Sequence, residues 1–127
     1  MIRHRRAYAV CPVVPDADGE THFAEAEVDL PSTAFAPPAL PFNVSAPIAA
    51  AQFVFVTLPV GWIGDWHPAP RVQYWLQFTG QVEVGVSDGE TRRFGPGEVV
   101  LLEDVDCKGH STRVIGDVEV RAAFVQV

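Results

Sequence analysis

Residues 61–80 read GWIGDWHPAPRVQYWLQFTG, a run closed by glycine at both ends and interrupted by Pro68 and Pro70. Its second half alternates. Side chains two apart on a strand share a face, so Gln73, Trp75 and Gln77 point one way while Tyr74, Leu76 and Phe78 point the other. An indole and two carboxamides are unusual on an inner barrel face, because each brings polar atoms that need partners where a structural core prefers aliphatic residues. The pattern suits a lined cavity, with plain core packing as the alternative. Trp62 and Trp66 precede the strand and are expected at the rim. The two prolines fix the backbone before Arg71, which would meet a carboxylate or enolate at the mouth or stay solvated.

Outward from this run the chain stays strand-like. Eleven prolines and ten glycines cut its 127 residues into short pieces, and nowhere do apolar residues keep helical spacing for three turns. Residues 24–30 (AEAEVDL) alternate apolar with acidic, as does 81–86 (QVEVGV), which runs into the Asp88-Gly89 turn and returns over 91–94. Gly95-Pro96-Gly97 makes a corner, and 99–102 reads as a buried strand. Residues 110–115, a Gly116-Asp117 turn and 118–127 read as a closing hairpin. The β-branched and aromatic run 52–58 (QFVFVTL) is the plainest isolated strand. Five prolines between residues 31 and 47 predict an extended arm over the surface or along a sheet side. Short strands with turns between them predict an all-β barrel or sandwich in one domain, with N-terminal strands and the arm in 1–50 and the barrel in 51–127.

The spacing of Gly61, His67, Ala69, Gln73 and Gly80 resembles the first cupin motif: a glycine, a His-x-His pair, a carboxylate or amide a few residues on, and a closing glycine. Residues 95–110, GPGEVVLLEDVDCKGH, resemble the second motif with its late histidine, here His110. The resemblance covers residues 52–127 and implies a cupin-type double-stranded β-helix, or jelly-roll, barrel with an extended proline-rich N-terminal arm. It also implies a homodimer. Ala69 stands where the second histidine of the pair belongs and Gln73 where a glutamate is usual. The resemblance therefore implies either no cofactor or one weakly bound divalent metal (zinc, iron, nickel or manganese) on His67, Gln73 and His110. The alternative is a polar network in which these three side chains satisfy one another or water.

Three functions follow from these residues. In the first, His67 and His110 act as acid and base and Gln73, Gln77 or Arg71 polarises an oxygen, giving isomerase, cyclase, dehydratase or lyase chemistry on a carbonyl-bearing or aromatic metabolite. The second is a metal-dependent oxygenase or ring-opening enzyme, and the third a small-molecule-binding barrel without chemistry. Sixteen acidic against nine basic residues, a formal charge of −7, have the wrong sign for a nucleic acid partner. Cys11 and Cys107 are too isolated for a disulfide framework, and Cys107 is not assured of contact with His110. Glu103, Asp104 and Asp106 read as a solvated lip. His22 either enters the cavity or caps a turn. The basic opening MIRHRR is followed by too short an apolar run for a secretory signal, and residues 46–63 are too broken to span a membrane, so a cytoplasmic protein with no membrane partner is expected.

Overall fold

The structure, a computed structural model, describes residues 6–127; the first five residues of the basic opening lie outside it. Thirteen strands and no helix occur among the described residues, so these residues contain no helix long and apolar enough to cross a membrane. The first five are β1 (Ala7–Pro15), β2 (Thr21–Phe23), β3 (Ala26–Asp29), β4 (Ser32–Thr33) and β5 (Phe42–Asn43). The remainder are β6 (Gln52–Leu58), β7 (Ile63–His67), β8 (Gln73–Thr79), β9 (Gln81–Val86), β10 (Thr91–Phe94), β11 (Val99–Leu102), β12 (His110–Ile115) and β13 (Val120–Gln126).

One rule orders β6 to β13. Strand β9 pairs with β10, β8 with β11, β7 with β12 and β6 with β13, all antiparallel, so the segment is a single long ribbon folded back on itself. Rolled up, the ribbon gives two facing sheets, β6-β13-β8-β11 and β7-β12-β9-β10. This is the topology of a jelly roll, the cupin-type double-stranded β-helix. Strand β1 adds in parallel to β11 and carries β2 and β3 with it, widening the larger sheet. The inner faces interdigitate through Val82, Val84, Val100, Val114 and Ala122, as the period-two pattern requires.

The closing hairpin expected over 110–127 does not form. Strand β12 belongs to the smaller sheet and β13 to the larger, so the Gly116-Asp117 turn carries the chain across the roll. The turn itself is as expected, with Gly116 at φ 82°. A turn-forming dipeptide allows reversal, but inner-face burial on both strands is satisfied only when they separate to opposite walls. The proline-rich segment is an exposed surface arm carrying only the two-residue β4–β5 ribbon. Both cysteines are free thiols, and burial pushes the Cys11 thiol up.

His22 lies outside the roll as a fastener. Its Nε2 is 2.8 Å from Asp16 Oδ2 and its Nδ1 2.8 Å from Asp88 Oδ2, tying the β1–β2 turn to the β9–β10 turn. The Asp16 contact, then the Asp88 contact, raises the His22 pKa. Asp16 is lowered chiefly by His22, and Asp88 by the Glu90 backbone and then His22. A raised histidine stabilises fully below its unfolded value of about 6.5 and loses that contribution as pH climbs through the folded value. The lowered carboxylates act above about 3.9 and lose theirs in acid. The difference in thermal midpoint between the wild type and His22→Gln should thus be largest near pH 5–6 and shrink by pH 8. Equal midpoints across that range would show that the bridge does not form.

Candidate functional site

Between the two sheets lies a cavity of 440 Å³, within the roughly 300–1,000 Å³ common for small-molecule sites. Most of its wall is aliphatic and aromatic. Trp75 packs on Phe124 with ring centroids 5.0 Å apart, and the indole of Trp62 lies across Gly64, where any β-carbon would overlap its ring. His67, His110 and Thr112 bring the remaining polar side chains, and among the described residues no Lys, Arg, Asp or Glu lines the cavity.

The two histidines meet across the β7–β12 ladder as register partners, with ring centroids 4.9 Å apart. The ladder is irregular there: His110 pairs with His67 and Thr112 with Gly64, two steps on β12 against three on β7. This bulge lets Gly64 and His67, an odd number of residues apart, both reach the cavity. Trp66, next to His67, points the other way, half exposed and close to Gly85 on the opposite face of the sheet.

Each imidazole is held by its Nδ1. His110, 5 % exposed, lies with Nδ1 2.5 Å from Oδ2 of Asp104, a residue with no exposed surface. His67 has Nδ1 2.6 Å from the carbonyl oxygen of Asp65. A carbonyl can only accept, so the His67 proton sits on Nδ1; with the Asp104 oxygen accepting in the same way, His110 is the same tautomer. Both rings then keep Nε2, which has no protein partner among the described residues, for whatever occupies the cavity.

The loop that carries Asp104 is stitched down on several sides. Glu103 N–H donates to the Val13 carbonyl, Ala69 N–H to the Asp104 carbonyl and Lys108 N–H to the Gly19 carbonyl. Buried Thr21 donates its hydroxyl to the Gly109 carbonyl at 2.7 Å. Gly109 itself has φ 78°, and a β-carbon there would run into the His67 carbonyl. The expected solvated lip is therefore corrected for Asp104, which folds under the loop as the support of His110; Asp106 is the exposed member. Asp104 and Thr21 escaped the sequence reading, and the one available signal was their position beside His110 and inside ADGETHF.

Of the other residues singled out in the sequence, Trp75 and Trp62 join His67 and His110 on the cavity wall. Gln73 and Gln77 are buried on the predicted face, but neither lines the cavity. Gln77 accepts from Trp75 Nε1 at 3.1 Å and donates to the Gly80 and Phe94 carbonyls, so it closes the strand end. Gln73 accepts from Gln126 at 3.3 Å. Arg71 is exposed and away from the cavity lining.

Fold and cavity together define a small cupin-type jelly roll with its candidate site inside the roll. The sequence matches no family model and no curated protein. Among solved structures it is similar to the Schizosaccharomyces pombe Cnp3 cupin domain, at 15 % identity, over 99 % of this chain and 86 % of that one, with a TM-score of 0.47.

The close approach of β7 to Gly109 is testable by Gly109→Ala. A left-handed backbone costs a non-glycine residue about 1–2 kcal/mol, which lowers the unfolding midpoint by roughly 3–10 °C in a domain of this size, and the overlap with His67 adds to it. An unchanged midpoint in calorimetry would contradict the packing described.

Proposed function

We propose that the chain is a small-molecule enzyme in which His67 and His110 exchange protons with a carbonyl-bearing or aromatic metabolite. The observation behind this reading is the pair of imidazoles 4.9 Å apart, each anchored at Nδ1, on the wall of an otherwise apolar cavity. The neutral Nε2 of His67 takes a proton from carbon beside the carbonyl while His110, protonated against Asp104, delivers one to the oxygen. Returning the proton to another carbon gives isomerisation. If the enol instead expels a β-substituent that leaves with a proton the result is elimination, and if its carbon attacks an electrophile within the same molecule the result is cyclisation, with no oxidant consumed. Asp104 is the positioning residue: it holds the tautomer and orientation of His110 and balances the charge that ring acquires.

The metal reading finds two donors where it needs three. Gln73 is engaged by Gln126, Ala69 offers no donor, and no group of three or more His, Cys, Asp or Glu side chains among the described residues is arranged to hold an ion. The residues do not fit a resident metal centre, so the proposed chemistry is assigned to the imidazoles alone.

The bicyclic ketone 2-tetralone in D₂O provides the test, with α-deuteration followed by NMR. The tag-free protein, assayed alongside for zinc, iron, nickel and manganese, should accelerate exchange beyond the same concentration of imidazole. His110→Gln and His67→Ala should each lower that acceleration about 10²-fold or more, with circular dichroism confirming that they fold. Undiminished exchange in the folded variants, or none above imidazole in the wild type, would defeat the proposal.

We also propose a homodimer, supported by β6. This strand ends the larger sheet, its outer edge lacks a neighbour strand among the described residues, and its outward Phe53 and Phe55 stack edge to face at 5.1 Å. Phe55 is 80 % exposed, and a long apolar edge strand left in water invites a second copy. Light scattering should report a dimer for the wild type and a monomer for Phe55→Glu; a monomeric wild type at micromolar concentration refutes it.

A further inference from the structure

We infer that the cavity selects uncharged ring-bearing carbonyl compounds and rejects carboxylates of the same skeleton. This rests on the catalytic reading above for the role of the carbonyl, but its own basis is the charge layout of the wall. Four observations combine.

Among the described residues no Lys or Arg lines the cavity, and Arg71, the residue in the motif region suited to a carboxylate, is exposed outside it. Behind His110 stands Asp104, fully buried, with Oδ2 on the imidazole and Oδ1 lacking any hydrogen-bond partner. A proton taken up by His110 therefore only neutralises Asp104, and it leaves no net positive charge for an incoming anion. The wall is mainly apolar, so an anion seated in it would give up hydration with no cation to replace it and would stand near a carboxylate of its own sign.

The same wall favours flat neutral rings. Trp62, Trp75 and Phe124 supply aromatic surface, and the N–H of Trp75 is turned away onto Gln77, so that indole presents carbon to the cavity. The Thr112 hydroxyl, and Nε2–H of His110 when that ring is protonated, can donate to a ketone oxygen, while a neutral Nε2 accepts from an enol or phenol. A sugar or phosphate would leave most of its polar groups unpaired there.

The probes are 2-tetralone and 1,2,3,4-tetrahydro-2-naphthoate, which share a bicyclic skeleton and differ in charge. Quenching of tryptophan fluorescence should give the ketone a Kd at least tenfold below that of the carboxylate in the same buffer. Side-chain NMR signals of His67 and His110 should shift with the ketone while those of His22, outside the roll, stay put. Asp104→Asn, which removes the buried charge with little change of shape, should narrow the preference. Equal or tighter carboxylate binding, or histidine shifts confined to His22, overturns the inference. Selective ketone binding without α-deuteration leaves this inference standing and removes the catalytic reading; deuteration without selectivity does the reverse.

Discussion

Burying a carboxylate is among the costlier acts in a fold of this size, several kcal/mol for an unpaired ion, and Asp104 has no exposed surface at all. The loop between β11 and β12 is arranged around that fact. It leaves the larger sheet and enters the smaller one, so the contact from Asp104 to His110 is also a tie between the two walls of the roll. Val13, Ala69, Gly19 and Thr21 anchor the same loop from β1, the segment after β7, the β1–β2 turn and β2. Gly109 lets the backbone turn left-handed just before His110 and lets β7 approach. Remove the Asp104–His110 contact and these anchors hold a loop with nothing to position.

The interior that this loop closes is unusual in its division of polar groups. Gln73 and Gln77, both buried on β8, find partners in another carboxamide or in backbone carbonyls and contribute order. The imidazoles instead use one nitrogen each for anchoring. Anchoring at Nδ1 removes the tautomeric and rotational freedom that would blur a proton-transfer geometry. The apolar remainder of the wall strengthens every electrostatic interaction inside it.

Much of this was legible in the residues, in proportion to how local the cause was. Alternation marked the strand at 81–86 and put Gln73, Trp75 and Gln77 on one inner face, while β-branched and aromatic richness marked 52–58 and an unbroken apolar run marked 99–102. The chemistry of that face was less legible, because Gln126 and Phe94, which decide what the carboxamides do, lie far along the chain. The bulge in β7 hid the place of Trp62 and Gly64 for a different reason: counted by strict period two from His67 they belong on the other face, and one extra residue brings them to the cavity. Asp104 sat in a run of acids that resembled a wet lip, and only three-dimensional anchoring shows one of them folded inward. The Gly116-Asp117 turn was visible, whereas its crossing from one sheet to the other was set by partners beyond it.

The nested pairing of β6 to β13 also orders assembly in time. Gly85 opposite Thr91 closes a short loop, whereas Gln52 opposite Gln126 joins nearly the two ends of the roll. Closure entropy grows with the span to be closed, so the β9–β10 hairpin is the least unfavourable first pairing, and each outer rung then closes over a ribbon already shortened by the rung inside it. Such a chain zips outward from its middle. Its edge strand β6, with Phe53 and Phe55, would be the last to dock, leaving the most adhesive segment of the sequence unpaired longest while the rest of the roll is already in place.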